Sequence, residues 1–177
     1  MMDRRTFIVA TAGGLLAAPL AGVQSGEKNP RIGGLMTEQN KAVVRRLTDE
    51  VWNTGQLDKI EELYGPDFVA DYRPYVPLRV GHQGIRDLVR GAWTAFPDYH
   101  EELEELIAEG EKVVVRLTIT GTQKGQWGPL PPTGRKVSFE EILILRIVGG
   151  QVVEQRGIPD NLNALRQLGV IPAPRQS

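Results

Sequence analysis

The chain has 177 residues, enough for one domain with a substantial core, and its 21 Lys and Arg against 22 Asp and Glu give a formal net charge of -1. Without a basic stripe, that balance removes the electrostatic case for nucleic acid, whose phosphates need a positively charged footprint. With no cysteine and only His82 and His100, the chain also excludes a disulfide framework, a thiolate nucleophile and a cysteine-based metal site, and it argues against a zinc enzyme.

Asp3-Arg4-Arg5-Thr6-Phe7 precedes an uncharged run, Ile8 to Ala21, rich in Ala, Gly and Leu and broken by Pro19. A basic start before a mildly apolar stretch has the form of a secretory signal, and the arginine pair before Phe matches the twin-arginine type. A membrane anchor would need about 20 strongly apolar residues. Residues 1–21 are therefore expected to be a signal peptide for export to the periplasm or beyond, leaving no stable membrane anchor after processing. If Met36 is the true start, the protein is cytoplasmic instead. Residues 22–36 hold Gly, Ser, Asn and Pro without periodicity and read as a flexible linker, followed by a domain over 37–172 and a tail over 173–177.

Thr37 is placed to cap a helix whose apolar positions Val43, Val44, Leu47 and Val51 recur at helical spacing, ended by Asn53-Thr54-Gly55. A second helix is expected over Leu57 to Tyr64, stopped by Gly65-Pro66 ahead of a short strand, Phe68 to Tyr72. Pro74 and Pro77 make an irregular loop. His82-Gln83-Gly84 then leads into a helix with Ile85, Leu88, Val89, Ala92 and Trp93 on a broad face.

After Phe96-Pro97-Asp98, the residues Tyr99, Leu103 and Ile107 alternate with His100, Glu102 and Glu104, which predicts a strand with an acidic outer face. Gly110-Glu111 turns the chain into a second strand with Val113, Val115, Leu117 and Ile119 on one side. The stretch Thr122 to Gly134 is too polar and proline-rich for core. Val137 to Ile147 carries apolar groups on both faces, as a central strand covered on both sides would. Glu140 and Glu141 interrupt it, and one of the two must face the covered side, as a pocket carboxylate or as a partner in an edge or dimer salt bridge. Gly149-Gly150 suits a two-residue hairpin into Gln151 to Arg156. Asp160 then stands where a cap would, before a helix with Leu162, Leu165 and Leu168. Helices segregated beside an antiparallel sheet define an α+β fold, and helices on the concave side of a strongly curved sheet would enclose a pocket.

Several pieces resemble, in order, the SnoaL-like polyketide cyclases, or ester cyclases, of the nuclear transport factor two-like superfamily. They are Asn40-Lys41, Trp52 to Asp58, Phe96 to His100, Gly121 to Gly125, Pro131-Pro132-Thr133-Gly134-Arg135, Glu154 to Asp160 and Leu165 to Gly169, within about Thr37 to Pro172. The resemblance implies a cone-shaped, curved, mixed but mainly antiparallel sheet with the N-terminal helices packed on its concave face. It implies a general acid/base carboxylate at Asp160, no metal, no cofactor, and a homodimer formed through the sheet. The reaction it implies is ring closure by intramolecular aldol condensation on a small hydrophobic carbonyl substrate. One carboxylate suits such chemistry, because it takes an acidic proton beside a carbonyl and returns it to the new alkoxide.

Where such proteins often carry His after the Gly-Thr pair and His-Trp before the acid, this chain has Gln123 and Gln155-Arg156. Gln can hydrogen-bond a carbonyl but cannot move protons near neutral pH. An inward Arg156 would lower the pKa of a neighbouring acid. The expected substrate-binding residues are His100, Gln123, Tyr72, Trp127, Gln155 and Arg156. A helix cap for Asp160, a surface position for His100 and local packing for Trp127 are the structural alternatives. At the level of function, the alternatives are an exported binding protein for a lipophilic molecule, or an isomerase or hydratase in the same pocket.

Overall fold

The computed structural model describes residues 30–172. The expected signal peptide, the linker up to residue 29 and the tail over 173–177 lie outside them. Helix α1, Pro30–Arg46, continues into a π-helical segment, Leu47–Trp52, and ends where Gly55 takes a positive φ of 68° and donates to the Val51 carbonyl. The described part of the expected linker, residues 30–36, is thus helical. Thr37 does not cap; its hydroxyl donates to Gly34 O within the helix at 2.8 Å. Val44, Leu47 and Val51 are buried, as their spacing requires.

The second helix is a single turn, α2, Ile60–Leu63, because Tyr64 already starts strand β1, Tyr64–Asp71. Gly65 and Pro66, expected to break the chain, sit inside that strand where its pairing with β6 shifts register, a place where the missing N–H of proline costs no ladder bond. Strand β2, Arg79–Val80, pairs antiparallel with β1 and opens helix α3, Gly81–Ala95, which packs on β1 through Ile85 and Val89.

Strands β3 (His100–Glu109), β4 (Lys112–Thr122), β5 (Lys136–Val148) and β6 (Gln151–Pro159) form an antiparallel meander, and helix α4, Asn161–Gln167, closes the described chain. The sheet runs β2-β1-β6-β5-β4-β3, with β1 and β6 parallel, so it is mixed but mainly antiparallel. Gly149 and Gly150, at φ 60° and 82°, make the hairpin between β5 and β6.

Two expectations about strand faces need correction. Ile107 is 58% exposed, because an irregularity between Leu103 and Glu105 shifts the register by one residue and turns Leu106 and Ala108 inward in its place. Strand β5 alternates strictly between buried and exposed residues, so within one chain it is covered on a single face, leaving Ile142 and Ile144 in the open. No described helix is long and apolar enough to cross a membrane.

Candidate functional site: buried carboxyls on the concave face

On the inner face of the sheet, among the apolar side chains, two carboxyl groups are buried. Glu101 enters from β3 and Glu141 from β5, and they are 5% and 7% exposed. An ionised carboxylate cannot be taken out of water without partners, so what surrounds each decides its state.

Glu101 is well held. The Tyr99 hydroxyl donates to Oε1 at 2.7 Å and the Thr48 hydroxyl lies 3.4 Å from Oε2. Asn53, from the end of the π-helical segment, clamps the Glu101 backbone from both sides, accepting from its N–H at 2.7 Å and donating to its carbonyl at 3.0 Å. Burial nevertheless raises the Glu101 carboxyl to about 7, with the Tyr99 and Thr48 hydroxyls pulling the other way.

Glu141 is not held in this way. Its Oε1 is buried and has no hydrogen-bond partner. Burial raises this carboxyl to about 8, the charge of Glu101 adds to the rise, and the Tyr72 hydroxyl beside it opposes it. Tyr72, just past the end of β1, also accepts a hydrogen bond from Nε2 of the buried Gln155 on β6. Between these groups lies Gly157, buried on the inner face of β6 opposite Leu143. A Cβ at that position would collide with both the Tyr72 ring and Glu141 Oε1, so the missing side chain is what admits them.

The phenols complete a polar patch. Burial and the neighbouring carboxylates push Tyr72 and Tyr99 well above the ordinary phenol value, while Tyr64, raised by burial, accepts from the Trp52 indole N–H at 3.1 Å. A cavity of about 10 Å³, room for about one water, is lined by Val44, Leu47, Leu143 and Leu145 together with Glu101 and Gln155. A wider groove of about 350 Å³ runs elsewhere, over the ends of β4 and β5 by Asp98, Thr122, Ser138 and Gln167.

Of the expected site residues, the structure brings together Tyr72 and Gln155. Asp160 does not stand at the floor of the cone. It follows the last residue of β6 and is the exposed N-cap of α4, its carboxylate accepting from the Asn163 N–H at 3.0 Å. Arg156 is exposed on the opposite face of β6 from Gln155, and His100 is exposed on the outer face of β3 beside Glu102. Neither faces the buried carboxyls, because each sits one residue out of phase with an inward neighbour.

Gln123 is fully buried but turned into its own loop. Its Nε2 donates to the Gly125 and Pro131 carbonyls and its Oε1 accepts from the N–H and hydroxyl of Thr133, which uses all its bonding capacity to tie the proline-rich segment down. Trp127 packs edge-on to Phe96 at 5.5 Å and also against Phe139. Among the described residues no cluster of three or more His, Asp or Glu side chains could hold a metal ion.

Sequence reasoning singled out the Glu140/Glu141 pair but gave Glu101 no role, naming only its neighbours Glu102 and Glu104 for the acidic outer face. The available signal was the phase of β3: Glu101 shares parity with the buried Tyr99 and with Leu103.

The architecture defines an α+β cone-type domain of the nuclear transport factor two-like kind. Solved structures superpose on it well, among them a candidate SnoaL-like polyketide cyclase from Jannaschia sp. CCS1 (TM-score 0.70, 28% identity, 77% of this chain and 95% of that one). TsrD from Streptomyces laurentii is another (TM-score 0.68, 25% identity, 76% and 97%). The model of the SnoaL-like polyketide cyclase family matches residues 42–168, and the chain belongs to that family. Similar proteins include the nogalonic acid methyl ester cyclase of Streptomyces nogalater, 32% identical over 120 residues, or 67% of this chain and 89% of that protein. The aklanonic acid methyl ester cyclase DnrD of Streptomyces peucetius is 32% identical over 130 residues, or 72% and 88%.

Proposed function

We propose that this protein is an ester cyclase that closes a ring in a small hydrophobic carbonyl substrate by acid/base catalysis, without a cofactor. The supporting observation is the similarity to two methyl ester cyclases over 89% and 88% of their lengths, joined to an apolar interior that holds titratable carboxyls. In such a reaction a carboxylate removes a proton beside a carbonyl, the enolate carbon bonds to a second carbonyl carbon, and the proton returns to the oxygen formed there. Enclosure holds the two carbon centres together and supplies much of the rate.

Sites for drug-sized ligands span about 300–1,000 Å³. The cavity of about 10 Å³ therefore describes a closed interior, which must open to admit a substrate. Incubation with a panel of aryl β-keto methyl esters, followed by chromatography for a cyclised product of unchanged mass, tests this function. If no member is converted and none raises the melting temperature, the cyclase assignment fails.

The functional unit is a homodimer formed through the convex face. Ile142 and Ile158 are cross-strand partners there, Ile144 lies two residues along, and all three are exposed. Arg116, Glu140 and Arg156 flank them, giving an apolar centre with a charged rim. Ile144→Glu is expected to give a folded monomer in sedimentation; an unchanged oligomeric state would remove this face from the interface. Export by the twin-arginine route is the matching proposal for residues 1–21, checked by locating the mature protein in cell fractions.

A further inference from the structure

We infer that Glu141 is the acid/base carboxyl of the reaction, acting through its free Oε1, which lies against Gly157, with Tyr72 as the hydrogen-bond donor that steadies its ionised form. The inference rests on the cyclase reading above and names the group that performs it.

The geometry separates Glu141 from every other acid near the interior. Glu101 spends its oxygens on Tyr99 and Thr48 and its backbone on Asn53, so it anchors β3 to the end of the π-helical segment. Asp160 spends its carboxylate on the α4 cap and is exposed. Glu141 alone of the three keeps a buried oxygen without a partner. A buried acceptor left unpaired destabilises the fold unless another group meets it. A carboxylate oxygen left without a partner in an apolar interior is what a base awaiting a substrate C–H requires. Gly157 is part of the device, since any side chain there would displace the Tyr72 ring and Oε1 from the places they take.

The facing groups are consistent with this role. Tyr72, itself aligned by Gln155, comes from the β1 side, Glu101 and Tyr99 from β3, and Leu143 and Leu117 flank Glu141 along and across the strand. No described cation pairs with Glu141, so nothing fixes it permanently in the ionised form. The cycle balances. The carboxylate accepts the proton as the C–H electron pair becomes the enolate, the enolate carbon forms the new C–C bond, and the carboxyl returns the proton to the resulting alkoxide.

The test uses 2-tetralone, a bicyclic ketone with an activated C–H, and follows deuterium uptake from D2O by NMR with the full-length protein and its variants. Wild type is expected to accelerate uptake. Glu141→Gln, isosteric and uncharged, is expected to slow it about 100-fold or more. Asp160→Asn, which keeps the cap, is expected to retain the wild-type rate.

Wild-type acceleration that survives Glu141→Gln overturns the assignment and leaves the cyclase reading intact. A protein inert toward both 2-tetralone and the ester panel overturns the cyclase reading and this assignment with it. If Glu141→Gln loses its circular dichroism spectrum, Tyr72→Phe decides. Without the phenol the pH midpoint of uptake must move upward, because the ionised carboxylate has lost its donor. An unmoved midpoint excludes Glu141 as the titrating base.

Discussion

Glu140 and Glu141 are neighbours on one strand and meet opposite environments. Glu140 points outward, its carboxylate 2.9 Å from the Arg116 guanidinium, with both side chains largely in solvent. Glu141 points inward among Leu117, Leu143 and Tyr72, and burial lifts its carboxyl to about 8. The same chemical group one residue apart is in one case a surface ion-pair member and in the other a weak acid poised near neutrality. What distinguishes them is the two-residue period of the strand and the helices that cover only one face.

Removing the inner charge sharpens that contrast most. The folded carboxyl of Glu141 lies near 8 against an ordinary 4.5. A group whose folded pKa is raised contributes stability that is complete below its unfolded value and is lost as pH rises through the folded value. Glu101, near 7, acts in the same direction. Wild type is therefore expected to lose stability between about pH 5 and pH 9. Glu141→Gln should remove part of that slope, becoming more stable than wild type at pH 9 by a few kcal/mol, with the gap closing toward pH 5.5. Urea midpoints at the two pH values measure it, and an equal gap at both would mean that the carboxyl is not buried in solution.

Gly157→Ala probes the same pocket from the strand that faces it. The added methyl meets the Tyr72 ring and Glu141 Oε1, so it either overpacks the core or displaces both groups. The expected cost is about 1–3 kcal/mol, together with loss of the Tyr72–Gln155 hydrogen bond. An alanine variant as stable as wild type would show that the inner face of β6 is roomier than the geometry allows.

The fold was legible because its signals are local and repeated. Alternation over Val113–Ile119, the Gly149-Gly150 turn and the apolar spacing of Val44, Leu47 and Val51 each fix one element, and together with the family motifs they give the sheet. The site was less legible, for two reasons. First, Glu101 shares the inward parity of Tyr99 and Leu103, but it stands in an acidic run, and the Thr48 and Asn53 side chains that hold it come from a segment far away in sequence. Second, a motif aligns positions but not orientations. Asp160 ends the familiar stretch, yet Pro159 closes β6 one residue before it, and the Asp160 carboxylate is captured by the backbone amide of Asn163, the third residue of α4. Glu141 could be suspected only as one of a pair, because its significance depends on Tyr72 and Gly157, far away in sequence.

Asp160 therefore supplies a test of smaller size. Asp160→Ala deletes an N-cap and is expected to cost about 1 kcal/mol, whereas Asp160→Asn, equal as a cap, should cost almost nothing. A melting temperature that falls for Ala and holds for Asn identifies the residue as a cap. A fall for both would require a role for its charge.

The smallest effect is expected outside, at Glu140. Its ion pair with Arg116 is exposed, screened by salt and held at the entropic cost of two long side chains, so Glu140→Gln should change stability by no more than about 0.5 kcal/mol. Any change should disappear in about 1 M salt, where the Debye length falls to roughly 3 Å. The inner substitution behaves otherwise, because low-dielectric burial rather than a neighbouring charge dominates its shift, and salt screens burial poorly. Measuring both variants at low and high salt separates the faces on one axis: the outer effect vanishes and the pH-dependent inner effect stays. If a salt-insensitive loss appears at Glu140, the convex face is covered in solution as the concave one is, and the second copy proposed to sit on it is the first candidate for what covers it.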